Sequence, residues 1–303
     1  MCDIVSGMAS DTFTLAGHPV RRVGYGAMQL PGPGVFGPPR DHDEAIRVLR
    51  RVVELGINHI DTSQFYGPDV ANQLIREALH PYADDLVIVS KVGGRRGEDA
   101  SWLPAQHPHE LKAGVHDNLR TLGIDRLPVV NLRVMGPEGA ESDHSDHVDP
   151  AAYADFDDQL AAMQELVDEG SLEAFGVSNT TTEQSAKAIE AGAVCVQNAY
   201  NLLHRDDDVT LGLCQDKGVA YVPFFPLGSA FPGMPKVTEN ATVQAVAERR
   251  GATASQIGLA WLLARADNIL LIPGTSSVAH LDENTGARDV TLDADDLAEL
   301  DNA

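Results

Sequence analysis

Three side chains in the first third of the chain combine the groups that a proton donor needs. Asp61 and Tyr66 lie five residues apart, and Lys91 ends the apolar run 87–91. A free tyrosine has a pKa of about 10 and is a poor acid at neutral pH. A neighbouring ammonium favours the phenolate and lowers that pKa, while a carboxylate keeps the ammonium charged and oriented. The three residues therefore suit a site in which Tyr66 protonates a carbonyl oxygen as a hydride reaches the carbon.

These residues fall within a regular alternation of short apolar runs and longer amphipathic segments. The predicted strands cover residues 23–27, 57–60, 86–90, 129–134, 173–177, 194–197, 219–223 and 269–272. The predicted helices cover residues 43–55, 70–79, 109–122, 153–169, 182–191, 207–217, 254–265 and 278–285. Most of the strands are apolar on both faces, as in a parallel sheet that helices cover. Eight such units in 303 residues predict an α/β fold, the (β/α)8 or TIM barrel, with its site at the carboxyl ends of the strands.

We expect the chain to form a single domain over residues 1–303, with a short β-hairpin at 13–20 ahead of the barrel. A two-lobed, doubly wound α/β fold is the structural alternative. The segments 31–42, 93–108 and 136–150 are predicted to be long irregular loops. The last two would lie over the barrel mouth, where loops usually set substrate choice.

Composition and charge narrow the class of protein. Hydrophobic residues make up 43% of the chain, enough for a large core, and the net charge of −23 repels nucleic acid and anionic membranes. No apolar run approaches the ~20 residues that span a bilayer, and the N-terminus shows no secretory signal. The three widely spaced cysteines are interpreted as free thiols in a reducing compartment. We therefore expect a cytoplasmic protein without an obligate protein partner.

Three short motifs resemble ligand sites but are interpreted otherwise. The glycines of 32–37 match the spacing of a dinucleotide-binding turn, but the prolines there remove amide donors and interrupt the helix that would hold a pyrophosphate. The histidines and aspartates of 143–149 adjoin on one segment without ligand spacing, so a solvated loop and no metal site are predicted. Aspartates 206–208 are interpreted as the acidic first turn of a helix.

Short polar side chains follow several of the later strands. Ser178, Asn179 and Gln197 offer a hydroxyl and two amides, which suit a planar carboxamide such as that of nicotinamide. Helix capping is the alternative for the first two. Phe224 can present an aromatic face after the seventh strand. The segment 272–277 after the eighth combines hydroxyls with a helix start, a setting suited to phosphate.

Six ordered motifs resemble those of the aldo-keto reductases over nearly the whole chain. They are Asp61-Thr62-Ser63 with Tyr66-Gly67, Ser90-Lys91-Val92-Gly93, Gly176-Val177-Ser178-Asn179, Gln197-Asn198-Ala199-Tyr200-Asn201, Pro226-Leu227-Gly228, and Ile272-Pro273-Gly274-Thr275-Ser276-Ser277 with Glu283-Asn284. The resemblance implies a (β/α)8 barrel that binds NAD(P)H without a Rossmann fold. It assigns Tyr66 as the general acid, Lys91 as the group that lowers its pKa, and Asp61 as the partner of Lys91.

The same resemblance implies where a nicotinamide cofactor binds. Ser178, Asn179 and Gln197 would hold the carboxamide, and Phe224 would stack near the ring. The other cofactor-binding residues are expected to be Pro226, Leu227, Ser229, Gly274, Thr275, Ser276, Ser277 and Asn284. Of these, the last four would line the adenosine phosphate end of the cofactor.

Two positions depart from the pattern at the adenosine end of the cofactor. Many members of the family place a lysine and an arginine against the 2′-phosphate, whereas this chain has Gly274 and His280. Hydroxyl donors remain nearby, so NADPH is predicted from the habit of the family, with NADH as the alternative.

The end of the fourth strand departs from the family as well, with Arg133 where a histidine is usual. A guanidinium cannot give up a proton in this pH range, but it has five fixed donors. Arg133 is expected to polarise the substrate carbonyl or to bind an anionic group. Lys91 and Arg133 against Asp61 leave one positive charge, which favours a developing oxyanion, a phosphate or a carboxylate. A surface ion pair is the alternative.

We therefore predict an NADPH-dependent reductase of a small-molecule aldehyde or ketone. The segments around the fourth, sixth and seventh strands resemble most the bacterial pyridoxal reductase-like members, which makes pyridoxal or another aromatic aldehyde a candidate substrate. A ketone or imine of secondary metabolism is equally compatible. Two other classes remain open: a cofactor-sensing regulatory subunit akin to potassium-channel β subunits, and a redox-neutral cyclase or dehydratase on the same barrel.

Overall fold

The computed structural model describes residues 11–136, 139, 148–228 and 235–303. Within these residues a curled parallel sheet is surrounded by helices. The strands are β1 (Thr12–Leu15), β2 (His18–Arg21), β3 (Tyr25–Gly26), β4 (His59–Asp61), β5 (Val87–Arg96), β6 (Trp102–Ala105), β7 (Leu127–Arg133), β8 (Leu172–Ser178), β9 (Cys195–Gln197) and β10 (Ala220–Tyr221). The α-helices are α1 (His42–Glu54), α2 (Val70–Leu79), α3 (Pro108–Leu122), α4 (Phe156–Asp168), α5 (Thr182–Glu190), α6 (Asp208–Lys217), α7 (Ala241–Arg250), α8 (Ala254–Arg265), α9 (Val278–Thr285) and α10 (Ala294–Asp301).

The sheet closes into a ring. Strands β3, β4, β5, β7, β8, β9 and β10 are neighbours in that order and run parallel. The segment 269–274 completes the ring through parallel bridges from Ile269 to Tyr221, from Leu271 to Val23 and from Gly274 to Gly26. A parallel sheet whose last strand pairs with its first is the predicted (β/α)8 barrel, so the doubly wound alternative is wrong.

The predicted N-terminal hairpin closes one end of the barrel. β1 and β2 pair antiparallel over Thr12–Leu15 and His18–Arg21. Leu15 and Val20 are buried with Val87, Val129 and Leu270, which lie early in their strands. The hairpin therefore covers the amino ends of the strands and leaves the carboxyl ends open for a site.

Helix starts follow local capping chemistry. The Asp41 side chain accepts a hydrogen bond from the amide of Glu44 at the start of α1. Thr181 and Thr253 form capping boxes at the starts of α5 and α8. These caps satisfy amides that the first turn of a helix leaves without partners.

The structure corrects the sequence-based boundaries in three places. β5 continues to Arg96 and forms a hairpin with β6, so the prediction of an irregular segment over 93–108 is wrong. Glycines suggested a loop there, but Gly93 allows close packing, because a Cβ at that position would lie 2.3 Å from the Arg133 carbonyl oxygen. Helices α7 and α10 were not predicted, since few of their residues are apolar and buried. The segment 31–42 contains a short 3-10 turn at Pro33–Val35, and most of 136–150 lies outside the described residues.

Candidate active site

Neighbouring strands bring Asp61 and Lys91 together inside the barrel. Asp61 ends β4 and pairs in register with Val89 of β5, two residues before Lys91. Lys91 Nζ donates a hydrogen bond to Asp61 Oδ1 and another, of 3.3 Å, to the carbonyl oxygen of Thr62. Both charged side chains are buried. A buried ion pair of this kind persists only when its charges are matched and hydrogen-bonded, as they are here.

Tyr66 joins this pair from the loop that follows β4. Its ring centroid lies 5.2 Å from Lys91 Nζ, and the side chain is only 6% exposed. Phe65 packs edge-on against it, with 5.4 Å between ring centroids. The sequence-based prediction that Asp61, Tyr66 and Lys91 form one cluster therefore agrees with their geometry.

Burial and charge act in opposite directions on this cluster. Burial raises the pKa of Tyr66 most, and the charge of Asp61 raises it further. Lys91 and, more weakly, Arg133 lower it by less, so the net pKa lies above its ordinary value. This direction is the reverse of the one expected from the sequence: Lys91 limits the rise but does not overcome it. Burial lowers the pKa of Lys91, but Asp61 and Tyr66 together outweigh it, so the pKa is raised and the ammonium stays charged.

Gln197 connects this cluster to the opposite wall of the barrel. Its Nε2 donates to Asp61 Oδ2 at 3.0 Å, a contact that the sequence did not predict. The Gln197 Oε1 atom and the Ser178 Oγ atom are buried without a hydrogen-bond partner. A carboxamide carries one NH2 donor and one carbonyl acceptor, which match an amide oxygen and a hydroxyl. Ser178 and Gln197 therefore fit a nicotinamide carboxamide, and buried polar atoms of this kind usually have a partner.

Asn179 ties two strand ends together. It has a positive φ of 60°, and its Nδ2 donates to the Val134 carbonyl oxygen at 2.8 Å. The N-cap of α5 is Thr181, so the capping alternative for Ser178 and Asn179 is wrong. Contact of Asn179 with a carboxamide remains a prediction.

Arg133 and Phe224 form another part of the mouth. Arg133 ends β7 and has the same inward parity as Asn131, whose Oδ1 atom accepts from Cys195 Sγ inside the barrel. The Arg133 guanidinium carbon lies 5.2 Å from the Phe224 ring centroid. The guanidinium therefore points into the barrel mouth, where its charge also acts on Tyr66.

The packing around Gly274 explains why this position, where many family members have a lysine, is a glycine. A Cβ at Gly274 would lie 2.8 Å from the Gly26 carbonyl oxygen, so the close approach of the two chain segments favours glycine. Thr275 is buried, and its Oγ1 accepts from the Ser277 amide at 3.1 Å. Glu44 of α1 accepts from the Val278 amide at 3.1 Å, which places a carboxylate at the start of α9. This hydrogen bond to Val278 lowers the pKa of Glu44.

The remaining predicted cofactor residues that the structure describes follow β10 or lie in the segment 276–284. Pro226 and Leu227 are partly buried after β10, and a Cβ at Gly258 would lie 2.8 Å from a methyl of Leu227. Asn284 is buried on α9, and Ser276 is exposed. Ser229 lies outside the described residues.

His59 is a buried residue that the sequence reading did not single out. It lies two residues before Asp61 on β4 and therefore faces the same interior. Burial lowers its pKa to about 4, so the ring is neutral at physiological pH. Its Nδ1 atom has no hydrogen-bond partner. The burial of His59 could not be predicted from the sequence. Periodicity alone does not distinguish a polar residue that faces the barrel interior from one that faces outward.

Two cavities lie outside this cluster. One of about 450 Å³ is lined by Arg76 and Arg120 at the ends of α2 and α3, which face the amino ends of the strands. The other, of about 200 Å³, lies behind the end of β7 and is lined by Gln106, Met135 and Gln159. Only the second adjoins the mouth, because Gln106 Nε2 donates to the Arg133 carbonyl oxygen at 3.3 Å.

The metal-ligand and acidic motifs noted in the sequence are considered separately from this site. No cluster of metal-binding side chains is found in the described part of the chain, and most of the segment 143–149 falls outside it. No helix among the described residues is long and apolar enough to span a membrane. Asp207 directly precedes α6, and its carboxylate also accepts hydrogen bonds from Tyr221 at 2.6 Å and from Asn198 at 2.9 Å.

The fold and the site together define the class of protein. The aldo/keto reductase family model matches residues 22–303, and the chain belongs to that family of oxidoreductases. Pyridoxine 4-dehydrogenase of Escherichia coli K12 is 54% identical over 295 residues, which cover 97% of this chain and 98% of the relative.

Solved structures agree with this assignment. A thermostable aldo-keto reductase crystallised with epalrestat is 28% identical, with a TM-score of 0.77 and coverage of 96% of this chain and 98% of that one. An aldo/keto reductase of Klebsiella pneumoniae with NADP and acetate has a TM-score of 0.75 at 24% identity, with coverage of 97% and 95%, and shows the same fold.

Proposed function

We propose that this protein reduces pyridoxal, or an aromatic aldehyde close to it, with NADPH. The observation that carries the proposal is the buried Asp61–Lys91 pair beside Tyr66, together with the two buried atoms of Ser178 and Gln197 that have no partner. The 54% identical relative is a pyridoxine 4-dehydrogenase. Dehydrogenation of the 4-hydroxymethyl group of pyridoxine yields the aldehyde pyridoxal, so the two substrates are the two ends of one reaction.

The residues of the site would hold a nicotinamide cofactor at both ends. NADPH, when bound, supplies the hydride. Ser178 would donate to the carboxamide oxygen and Gln197 would accept from its NH2 group, while Thr275, Ser276, Ser277 and Asn284 would hold the adenosine phosphate. The Klebsiella neighbour contains NADP. Since Gly274 and His280 stand where many members of the family have a lysine and an arginine, NADH is the alternative cofactor.

The chain itself controls the proton. Tyr66 donates its phenolic proton to the carbonyl oxygen as the carbon is reduced, and Lys91 stabilises the phenolate that remains. Asp61 holds Lys91 in place, and Gln197 holds Asp61. Solvent returns the proton to Tyr66 after the alcohol leaves. Arg133 contributes charge but no proton, because a guanidinium stays protonated throughout.

The proposal also concerns the cellular compartment and the partners of the enzyme. We infer that it works in the cytoplasm on small molecules, without nucleic acid and without an obligate protein partner. Its acidic net charge of −23 disfavours polyanions, and Cys195 and Cys214 are buried free thiols.

The test is a measurement of NADPH and NADH oxidation with pyridoxal and a panel of other carbonyls. Tyr66→Phe is expected to lower kcat by about 10²-fold or more while NADPH still binds, because the substitution removes the hydroxyl that supplies the proton but keeps the ring. Tyr82→Phe is the matched control, since that phenol bonds the Leu122 carbonyl oxygen far from the site. Unchanged turnover in Tyr66→Phe would refute the assigned acid. Absence of oxidation with every carbonyl would favour the regulatory or redox-neutral classes.

A further inference from the structure

Asn198 lies where three chain segments with proposed nicotinamide contacts meet. It directly follows Gln197, which is paired in register with Ser178. Its carbonyl oxygen accepts a hydrogen bond from the Phe224 amide at 2.9 Å, and the residue is only 1% exposed. Because successive residues of a strand point to opposite sides, Asn198 points away from the interior that Gln197 faces. Asn198 can therefore act on the site only through the segments that it joins.

The Asn198 side chain pairs with the main chain of Thr180 in both directions. Its Oδ1 accepts from the Thr180 amide at 3.0 Å, and its Nδ2 donates to the Thr180 carbonyl oxygen at 2.8 Å. Thr180 is buried and lies two residues after Ser178. The Asn179 amide also donates to the Gln197 carbonyl oxygen at 3.0 Å. These bonds continue the pairing of β8 and β9 past both strand ends and fix the separation of Ser178 from Gln197.

Asp207 determines the orientation of the Asn198 amide. Its Oδ2 accepts from Asn198 Nδ2 at 2.9 Å and from the Tyr221 hydroxyl at 2.6 Å. The NH2 group of Asn198 has two donors, of which one serves Thr180 and the other serves Asp207. A flipped amide would turn its oxygen toward two acceptors, so a single orientation is favoured. A buried polar network whose hydrogen bonds are all made is rigid.

Resting on the proposed function, we propose that Asn198 is a positioning residue that holds Ser178 and Gln197 at the spacing required by the nicotinamide carboxamide. The Ser178 Oγ and Gln197 Oε1 atoms are buried without a partner, and they belong to the two strand ends that Asn198 joins. A carboxamide bonds both atoms only if these ends keep their separation. Loss of the Asn198 side chain should therefore weaken recognition of the carboxamide but not of the rest of the cofactor.

The test measures how well the protein distinguishes NADP⁺ from its 3-acetylpyridine analogue. In the analogue a methyl group replaces the NH2 group from which Gln197 would accept, while the carbonyl oxygen is kept. The quantity measured is the ratio of the two dissociation constants, obtained by isothermal titration calorimetry without an aldehyde. Because both molecules share the adenosine and phosphate groups, any change in the affinity for those groups cancels in the ratio.

We expect the wild type to bind NADP⁺ about tenfold more tightly than the analogue, because the analogue leaves a buried acceptor without a donor. In Asn198→Ala the ratio is expected to fall to about threefold or less, with most of the loss in the affinity for NADP⁺. The double variant Asn198→Asp with Asp207→Asn keeps the net charge and the bond from the Thr180 amide, so it should give an intermediate ratio. This double variant serves as the readout if Asn198→Ala does not fold.

Asn268→Ala is the matched control. Asn268 is also a buried asparagine, and its Nδ2 donates to the Val219 carbonyl oxygen at 2.8 Å, just before the amino end of β10. This variant should lose stability as Asn198→Ala does, which urea unfolding measures, but it should keep the ratio of the wild type. An equal fall of the ratio in both variants would show that a general loss of packing is the cause, and would refute the role of Asn198.

The outcomes separate this inference from the proposed function. If the wild type distinguishes the two cofactors and Asn198→Ala does so equally well, the inference is wrong and the proposed carboxamide site stands. If the wild type does not distinguish them, both the carboxamide contact of Gln197 and the inference are wrong. Reduction of pyridoxal is measured separately, and its absence would refute the proposed substrate while leaving the binding ratios to decide the role of Asn198.

Discussion

Lys91 is the residue on which the electrostatics of the site depend. Its ammonium is buried, and it is matched by Asp61, whose second oxygen is held by Gln197. An ammonium placed in this interior without a partner would be strongly unfavourable. Because burial raises the pKa of Tyr66, the phenol stays protonated at neutral pH, and the contribution of Lys91 is to make its proton easier to release.

Replacing Lys91 should therefore affect stability and turnover separately. Lys91→Met leaves Asp61 buried without its counter-ion and is expected to lower the free energy of unfolding by about 3–5 kcal/mol. The double variant Asp61→Asn with Lys91→Met removes both charges and should regain most of that loss without regaining activity. Urea unfolding and steady-state kinetics measure the two effects. If Lys91→Met were as stable as the wild type, the ion pair with Asp61 would not have the stabilising role proposed for it.

At the scale of elements, the hairpin of β5 and β6 shapes the entrance. Trp102 of β6 packs edge-on against Phe65, with 5.8 Å between ring centroids, and Phe65 packs against Tyr66. Arg96 fastens this hairpin to the turn at 33–35 by donating to the carbonyl oxygens of Val35 at 2.6 Å and Gly34 at 3.0 Å. The wall beside Tyr66 thus depends on two chain segments that the Arg96 side chain joins.

Loss of this connection should loosen the wall without unfolding the barrel. Arg96→Gln removes charged hydrogen bonds, each worth about 1.5–3 kcal/mol, and the stacking of the guanidinium carbon 4.0 Å from the Trp102 ring centroid. Hydrogen exchange in 31–37 and 97–105 should accelerate, and the KM for aldehyde should rise. Arg95→Gln on the same strand is the control, because Arg95 is exposed. Equal exchange rates in the two variants would show that Arg96 does not fasten the hairpin.

At the scale of the whole molecule, the barrel is closed where its first and last strands meet. The Leu271 amide donates to the Arg22 carbonyl oxygen at 2.7 Å, which joins the two strands. The Arg22 side chain is also buried, and it donates to the carbonyl oxygens of Leu263 at 2.8 Å and Ile269 at 3.2 Å. The Arg22 side chain therefore connects the end of α8 and the closing segment 269–274 to the chain that leads into β3.

Removal of the Arg22 guanidinium should lower global stability. Arg22→Met leaves buried carbonyl oxygens without donors, and the free energy of unfolding is expected to fall by about 2–4 kcal/mol. Arg21→Met is the neighbouring control, since the Arg21 side chain pairs with Asp11 at the surface. Urea titration followed by circular dichroism gives both values. If the two variants unfold at the same midpoint, the closure does not depend on Arg22.

The sequence was sufficient to predict the barrel and the Asp61–Tyr66–Lys91 cluster. The carboxyl ends of parallel strands meet at one end of a barrel, so a residue known to end a strand is already placed near the others. The predicted helices 182–191 and 254–265 begin directly after Thr181 and Thr253, which cap α5 and α8 in the structure. Such starts can be found in a sequence because capping is a local interaction.

Only the tertiary structure decided the contacts between distant segments. Gln197 bonds Asp61 across the barrel, and Glu44 bonds the Val278 amide, although no spacing in the chain relates the members of either pair. The net direction of the Tyr66 pKa also depended on the fold. Periodicity reports which face of an element is apolar, whereas desolvation and cross-barrel hydrogen bonds depend on every segment packed around a group.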